Sequence, residues 1–146
     1  MQQYLSFMLG GEMFAMDLLS VREIIQYADE TAVPMMPTCV RGVINLRGAV
    51  VPVVDLAVRF GREPVQTGRR SCIVIVEREG VVLGVLVDAV NTVLDICPGD
   101  IEPAPSFGAR LRNDFIAGVG KWNGRLVILL NVETVLAMEE LAGGIS

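Results

Sequence analysis

The chain repeats itself, and the repeat limits its fold more than any other feature. Laying 11–25 on 80–94 at a constant offset of 69 matches Gly11 with Gly80, Phe14 with Leu83, Met16 with Val85, Val21 with Val90, Ile24 with Val93 and Ile25 with Leu94. Laying 42–60 on 118–136 at an offset of 76 matches Gly42 with Gly118, Val43 with Val119, Gly48 with Gly124, Val51 with Val127, Asp55 with Asn131 and Phe60 with Leu136. Identities are few, but the order recurs: hairpin, third strand, spacer, hairpin, short helix. A β unit of this size holds about five strands, and closing each into a barrel removes its exposed edges while letting the two units share a core. The expectation is a mainly β fold of two five-stranded barrels, one over about 12–68 and one over about 72–132, with the N-terminal strand and a C-terminal helix packing across them.

The strands are delimited by glycine tips. In 42–56 two runs rich in Val, Ile and Leu flank Arg47-Gly48, where glycine supplies the positive φ of a tight hairpin. Gly10-Gly11 separates Tyr4–Leu9 from the alternating run Glu12–Asp17; Glu79-Gly80 separates Ser71–Glu77 from Val81–Asp88; and Asn123-Gly124 separates Phe115–Lys121 from Arg125–Val132. Val90–Ile96 continues as β. Leu18, Val21, Ile24 and Ile25 stand at three-to-four spacing, which fits a helical turn or a bent strand equally. Pro34 and Pro37 bracket a loop, and 62–70 is a polar linker. Pro98, Gly99, Pro103 and Pro105 break the β pattern, so a loop or short helix leads to Phe115. Short helices are expected at Leu56–Phe60, ended by Gly61, and at Val132–Leu141, with Asp55 and Asn131 placed to cap them.

Composition removes several classes of function. A chain of 146 residues with 52% apolar content can bury about two thirds of its unfolded surface without metal or disulfide staples. No apolar run approaches the roughly 20 residues of a membrane span, and Met1-Gln2-Gln3-Tyr4 lacks the basic head of a signal peptide, so the expected location is cytoplasmic. Three cysteines, Cys39, Cys72 and Cys97, are odd in number and far apart, as reduced structural thiols are. A net charge of −5, with Lys121 and eleven arginines as the only basic residues, speaks against a nucleic-acid partner. With no histidine, the commonest general base and zinc ligand is missing. There is no phosphate-binding glycine loop, no GxSxG elbow and no telling carboxylate pair, and Gly118-Val119-Gly120 lacks a third glycine. No enzyme, small-molecule substrate, cofactor or metal site is expected.

What remains is a contact surface. Leu5, Leu18, Val21, Ile24 and Val90 are aliphatic residues that fit either a core or a protein-binding groove. Glu23, Asn45, Leu46 and Arg47 add a carboxylate, an amide and a guanidinium beside apolar side chains, a mixture in which burial supplies affinity and the ion pair supplies orientation. Arg47 at a hairpin tip, able to pair with Glu23, is the strongest functional candidate. A β-barrel module that binds nucleic acid is the rival of a different class, but it needs a basic face with stacking aromatics that this chain lacks.

Several segments together resemble the CheW chemotaxis coupling family: Leu5-Ser6-Phe7, 21–25 (VREII), Val33-Pro34, 42–48 (GVINLRG), 51–56 (VPVVDL), Val87-Asp88 and 128–132 (ILLNV). The pairing of GVINLRG with VVPVVDL is specific, and the resemblance covers nearly the whole chain. It implies two SH3-like barrel subdomains in a non-enzymatic adaptor of a two-component system. Such an adaptor joins the cytoplasmic tips of methyl-accepting chemoreceptors to the regulatory domain of the histidine kinase CheA, in arrays on the inner face of the membrane. By that resemblance the receptor groove falls on Leu5, Leu18, Val21, Glu23, Ile24 and Val90. A kinase or receptor contact falls on Gly42, Asn45, Leu46, Arg47 and Gly48, with 118–124 as a second candidate for the kinase. A coupling protein of a surface-motility or developmental array would look the same from sequence.

Overall fold

The computed structural model describes residues 1–104 and 111–137. Among these described residues eleven strands run in chain order: β1 (Gln2–Leu9), β2 (Glu12–Asp17), β3 (Val21–Gln26), β4 (Val40–Leu46), β5 (Ala49–Asp55), β6 (Cys72–Arg78), β7 (Val81–Val87), β8 (Ala89–Ile96), β9 (Ile101–Glu102), β10 (Ile116–Trp122) and β11 (Arg125–Leu130). Helix α1 (Leu56–Arg59) follows β5, and α2 (Val132–Val135) follows β11. Asp55 accepts from the Val58 amide and Asn131 from the Thr134 amide, so both caps stand where the sequence puts them. The helix expected over Val132–Leu141 is seen through Val135, and its continuation past 137 lies outside the described residues, as does Pro105.

The strands form two sheets, in the orders β8-β1-β2-β11-β10-β9 and β3-β6-β7-β5-β4. The repeat is visible in their registers. Phe7 pairs with Phe14 as Val76 pairs with Leu83, and Phe7 with Val90 as Val76 with Val21. Ala15 pairs in parallel with Leu129 as Gly84 does with Val53, and Ile116 with Leu130 as Val40 with Val54. Each sheet nevertheless draws on both halves of the sequence. The hairpin β1–β2 lies with β8, β10 and β11, while β6–β7 lies with β3, β4 and β5. The mainly β reading is therefore right, and the two sheets are consistent with SH3-like subdomains. Assembling each from exchanged hairpins was invisible in the sequence order. So was β9, a two-residue strand whose counterpart in the other sheet is the single bridge between Thr31 and Val43.

All four hairpins close through two residues in the left-handed region: Gly10-Gly11, Arg47-Gly48, Glu79-Gly80 and Asn123-Gly124. This is the turn whose twist matches that of paired strands. At Arg47 (φ 50°) the conformation costs a residue with a Cβ about 1–2 kcal/mol, which the surrounding hairpin has to offset.

Strand alternation sorts the buried side chains into two clusters. Leu5, Phe7, Phe14 and Met16 on one face of β1–β2 share a large core with Val74, Val76, Leu83 and Val85 of the other sheet. Tyr4, Ala15, Leu94, Ile96, Val127 and Leu129, on the opposite face, fill a smaller core. A file of aromatic rings crosses the shared core, Phe7 to Phe14 to Phe60 to Phe115, with centroids 6.1, 5.5 and 5.7 Å apart. Each ring buried there contributes about 1.5–3 kcal/mol relative to exposure, so this file does much to hold the two sheets together.

Candidate functional site

The edge strands β3 and β8 place the aliphatic candidates. In β3 the register slips between Val21 and Glu23, leaving Arg22 as a bulge; in β8 it slips between Val90 and Val93, opposite Ser6. The buried Ser6 hydroxyl fills the second gap, donating to the Thr92 carbonyl at 2.7 Å and accepting from the Thr92 amide at 3.2 Å. A bulge resets the alternation of faces. Val21 (opposite Val76) and Ile24 (opposite Val74) therefore share one face despite being three residues apart, and so do Val90 (opposite Phe7) and Val93 (opposite Leu5). The helix-like spacing of 18–25 thus has two causes. Leu18–Ser20 is a single 3-10 turn capped by Asp17, which accepts from the Leu19 amide at 2.9 Å, and the remainder, β3, is a bulged strand.

On that face the candidates differ in depth. Leu5 is 2% exposed and belongs to the shared core, so it shapes the surface only from beneath. Leu18, Val21 and Val90 are half-buried against the same core. Ile24 is 42% exposed. The repeat supplies a residue that the candidate set lacked: Val93, the mate of Ile24, is 40% exposed in the equivalent position on β8. Leu19, 92% exposed on the 3-10 turn, was also missed, since nothing in its local pattern separates an outward leucine from an inward one. The result is a shallow apolar margin on each of two edge strands, one from each sheet, both backed by the shared core.

The polar candidates gather elsewhere. Glu23 pairs opposite Ile75, on the face of β3 turned away from Val21 and Ile24, so it does not join the aliphatic row. Instead its carboxylate accepts from the guanidinium of Arg47, at the tip of β4–β5. β3 and β4 are the two edges of their sheet, so this ion pair joins strands that no backbone ladder connects. The hydrogen bond from Arg47 holds the Glu23 carboxyl below its ordinary range, and Glu23 in turn raises Arg47. Asn45 braces the tip by accepting from the Gly48 amide at 2.9 Å, with Leu46 half-buried beneath. Gly42 does not reach the tip. It is buried at the bulge at the start of β4, where a Cβ would sit 2.3 Å from the Thr31 carbonyl oxygen, so it is glycine because another backbone crosses it.

At the other end of the β4–β5 hairpin lies a polar cluster. The fully buried Asp55 accepts from Arg41 Nη1 and from the Val65 amide, both at 3.0 Å. Arg41 Nε donates to Glu30 at 2.6 Å, and Glu30 also accepts from the Tyr27 hydroxyl. Burial alone would raise the Glu30 carboxyl, but the bonds from Tyr27 and Arg41 outweigh it and bring it below its ordinary value. Burial would likewise lower Arg41, and its bonds to Glu30 and Asp55 reverse that. The linker expected over 62–70 is therefore pinned at Val65. Offset by 76, Ala117 and Asn131 stand where Arg41 and Asp55 do, so among the described residues the second unit has no such ion pair. Burial pushes the Cys39 thiol up, away from the reactive thiolate.

A β scaffold with apolar edge strands and a salt-bridged hairpin tip can be compared with known proteins. The family model described as "CheW-like domain" matches residues 3–140. The chain is 36% identical over 141 residues to Chemotaxis protein CheW of Klebsiella aerogenes, covering 97% of this chain and 85% of that protein. It is 34% identical over 86 residues to Protein PilI of Pseudomonas aeruginosa, covering 59% of this chain and 48% of that one. Among solved structures, the scaffolding protein TtCheW from Thermoanaerobacter tengcongensis superposes with a TM-score of 0.83 at 32% identity, covering 92% of this chain and 86% of that chain. With the strand registers, the doubled unit and these matches in agreement, the chain belongs to the CheW-like domain family.

Proposed function

We propose that this chain is a non-enzymatic adaptor of a chemotaxis signalling assembly, joining the cytoplasmic tip of a methyl-accepting chemoreceptor to the histidine kinase CheA. The observation that carries the reading is the separation of two contact faces. One is the apolar margin of β3 and β8, with Leu18, Val21, Ile24, Val90 and Val93 open to a partner. The other is the Arg47 tip, held by Glu23 and Asn45 and flanked by the exposed Val50. A receptor helical hairpin lies on the first face by apolar burial, and the kinase meets the second, with the tip around Asn123-Gly124 as its repeat. The two repeat units, near 12–68 and 72–132, give the adaptor a kinase-facing end each. Holding both partners at once couples them mechanically: a small receptor shift favours one kinase arrangement, by no more than its differential affinity. The protein works in the cytoplasm, in arrays at the inner face of the membrane. The Klebsiella chemotaxis protein is matched over 97% of this chain and PilI over 59%, which supports the chemotaxis reading.

The test is reconstitution with receptor fragment and kinase: autophosphorylation rises only when all three components are present. Full burial of an isoleucine is worth about 1.5–3 kcal/mol, and the 42% of Ile24 still open leaves about 0.6–1.3 kcal/mol for a partner. Ile24→Ala therefore weakens receptor capture by about 3- to 8-fold with the fold intact, and Val21→Asp weakens it further by placing an unpaired charge in an apolar contact. A folded Val21→Asp protein that still captures receptor at full strength removes the margin from the site. Arg47→Ala leaves the fold and weakens kinase capture, and unchanged titration of both partners removes the tip.

A further inference from the structure

Most basic side chains among the described residues are spoken for. Arg22 meets Glu77, Arg62 meets Glu12, Arg78 meets Glu133 and Lys121 meets Glu102, while Arg59 donates to backbone carbonyls. Arg125 is exposed and stands singly without an ion pair among the described residues, and the other exceptions are Arg69 and Arg70. They are adjacent, exposed and without an ion pair among the described residues, in a chain whose net charge is −5. Two unneutralised guanidinium groups side by side in an acidic protein form a local attractor for carboxylates, set in a field that repels them elsewhere.

Their presentation is fixed. The Ser71 amide donates to the Gly68 carbonyl at 3.2 Å, which makes Arg69 and Arg70 the two central residues of a β-turn. The buried Ser71 hydroxyl accepts from the Gly68 amide at 2.9 Å, and the Tyr27 amide donates to the Ser71 carbonyl at 3.0 Å, tying the turn to the end of β3. Cys72 pairs with Gln26, so the turn stands just past the end of the strand that carries Val21 and Ile24. At about 3.3 Å per strand residue and about 5 Å between strands, the guanidinium groups lie roughly 10–20 Å from Ile24. A helix laid on the apolar margin covers that distance in roughly 7–13 residues.

Resting on the receptor-facing reading of the β3 margin, we infer that Arg69 and Arg70 are a specificity-determining extension of that face. They select receptor hairpins that carry carboxylates two to four turns beyond their apolar contact. The aliphatic residues supply adhesion common to many helical hairpins, and the arginine turn discriminates among them by charge.

The test compares wild-type protein with the Arg69→Glu, Arg70→Glu double variant, titrated with the purified cytoplasmic fragment of a cognate receptor at 50 and 500 mM NaCl. Both substitutions lie on an exposed turn, and circular dichroism checks the fold. The expected result is about 3- to 10-fold weaker receptor binding at low salt, a gap that closes at high salt, and unchanged kinase binding. Equal receptor affinity at low salt overturns the inference. So does a loss confined to phosphatidylglycerol vesicles, which assigns the turn to a lipid surface, or one confined to the kinase. Val21→Asp run in parallel separates the failures: if it weakens receptor capture and the arginine variant does not, only the selector falls; if neither does, the receptor-facing reading falls with it.

Discussion

Replacing Gly42 by alanine tests whether the start of β4 is held by a backbone crossing. A Cβ at this position would stand 2.3 Å from the Thr31 carbonyl oxygen, 2.7 Å from its carbon and 3.0 Å from the Ala32 nitrogen. None of these is the movable end of a side chain, so the crossing segment itself has to retreat. Retreat breaks the Thr31–Val43 bridge, whose two hydrogen bonds measure 2.8 and 2.9 Å. At about 1 kcal/mol net for each bond, plus about 1–2 kcal/mol for the displaced backbone, Gly42→Ala costs about 3–4 kcal/mol. In a domain of this size that lowers Tm by roughly 6–16 °C. Gly124→Ala is the control: it keeps a strained φ of 73° but meets nothing within 4 Å, so it costs about 1–2 kcal/mol. The assay is urea denaturation of both variants, with hydrogen exchange at the Val43 amide as the local readout. A Gly42→Ala protein within about 0.5 kcal/mol of wild type, or one with the Val43 amide still protected, refutes the crossing.

Three further outcomes rest on the polar contacts. Asp55→Asn keeps a side-chain acceptor for the helix cap but leaves Arg41 short of an anion, so it costs about 2–4 kcal/mol in chemical denaturation, whereas Asn131→Asp, with Ala117 in the place of Arg41, gains nothing. Because the Glu30 carboxyl is held below its ordinary value near 4.5, its contribution is complete above that pH and is lost as pH falls through the lower folded value; Glu30→Gln therefore flattens the stability profile below about pH 4.5, seen in denaturation midpoints between pH 5 and 3. Arg59 donates to the carbonyls of Val135 (2.6 Å) and Thr134 (3.2 Å) at the end of α2 and lies 4.8 Å from the Phe115 ring centroid, so Arg59→Met costs about 1–2 kcal/mol and lowers Tm by roughly 2–8 °C in a thermal scan.

Much of the fold was legible because glycine tips fix where strands end. Arg47-Gly48, Glu79-Gly80 and Asn123-Gly124 each lie between β-branched runs, and each is the tip of a hairpin. The caps at Asp55 and Asn131 were readable for a similarly local reason. What could not be read depends on contacts far apart in sequence. The spacing of Val21 and Ile24 mimics a helix because a bulge at Arg22 restores a shared face, and only the pairing with β6 reveals it. Glu23 sits between those two residues in sequence yet faces the other way, toward Arg47, for the same reason. Gly42 looked like part of the Arg47 motif, but what makes it glycine is Thr31, eleven positions earlier. Val93 was within reach, since the 69-residue offset pairs it with Ile24; treating the repeat as a guide to surface as well as fold would have added it to the candidates.

The exchange of leading hairpins between the sheets bears on how such a chain can be divided. A cut between Phe60 and Cys72 separates β1–β2 from β8 and β11, and β6–β7 from β3 and β5, so each fragment carries an orphaned hairpin and a sheet missing its middle. The fragments can complement one another but cannot substitute for the intact protein singly. By the same geometry, a polypeptide of half this length could complete its sheets only by trading hairpins with a twin, which makes a swapped homodimer the natural single-unit counterpart of this doubled chain.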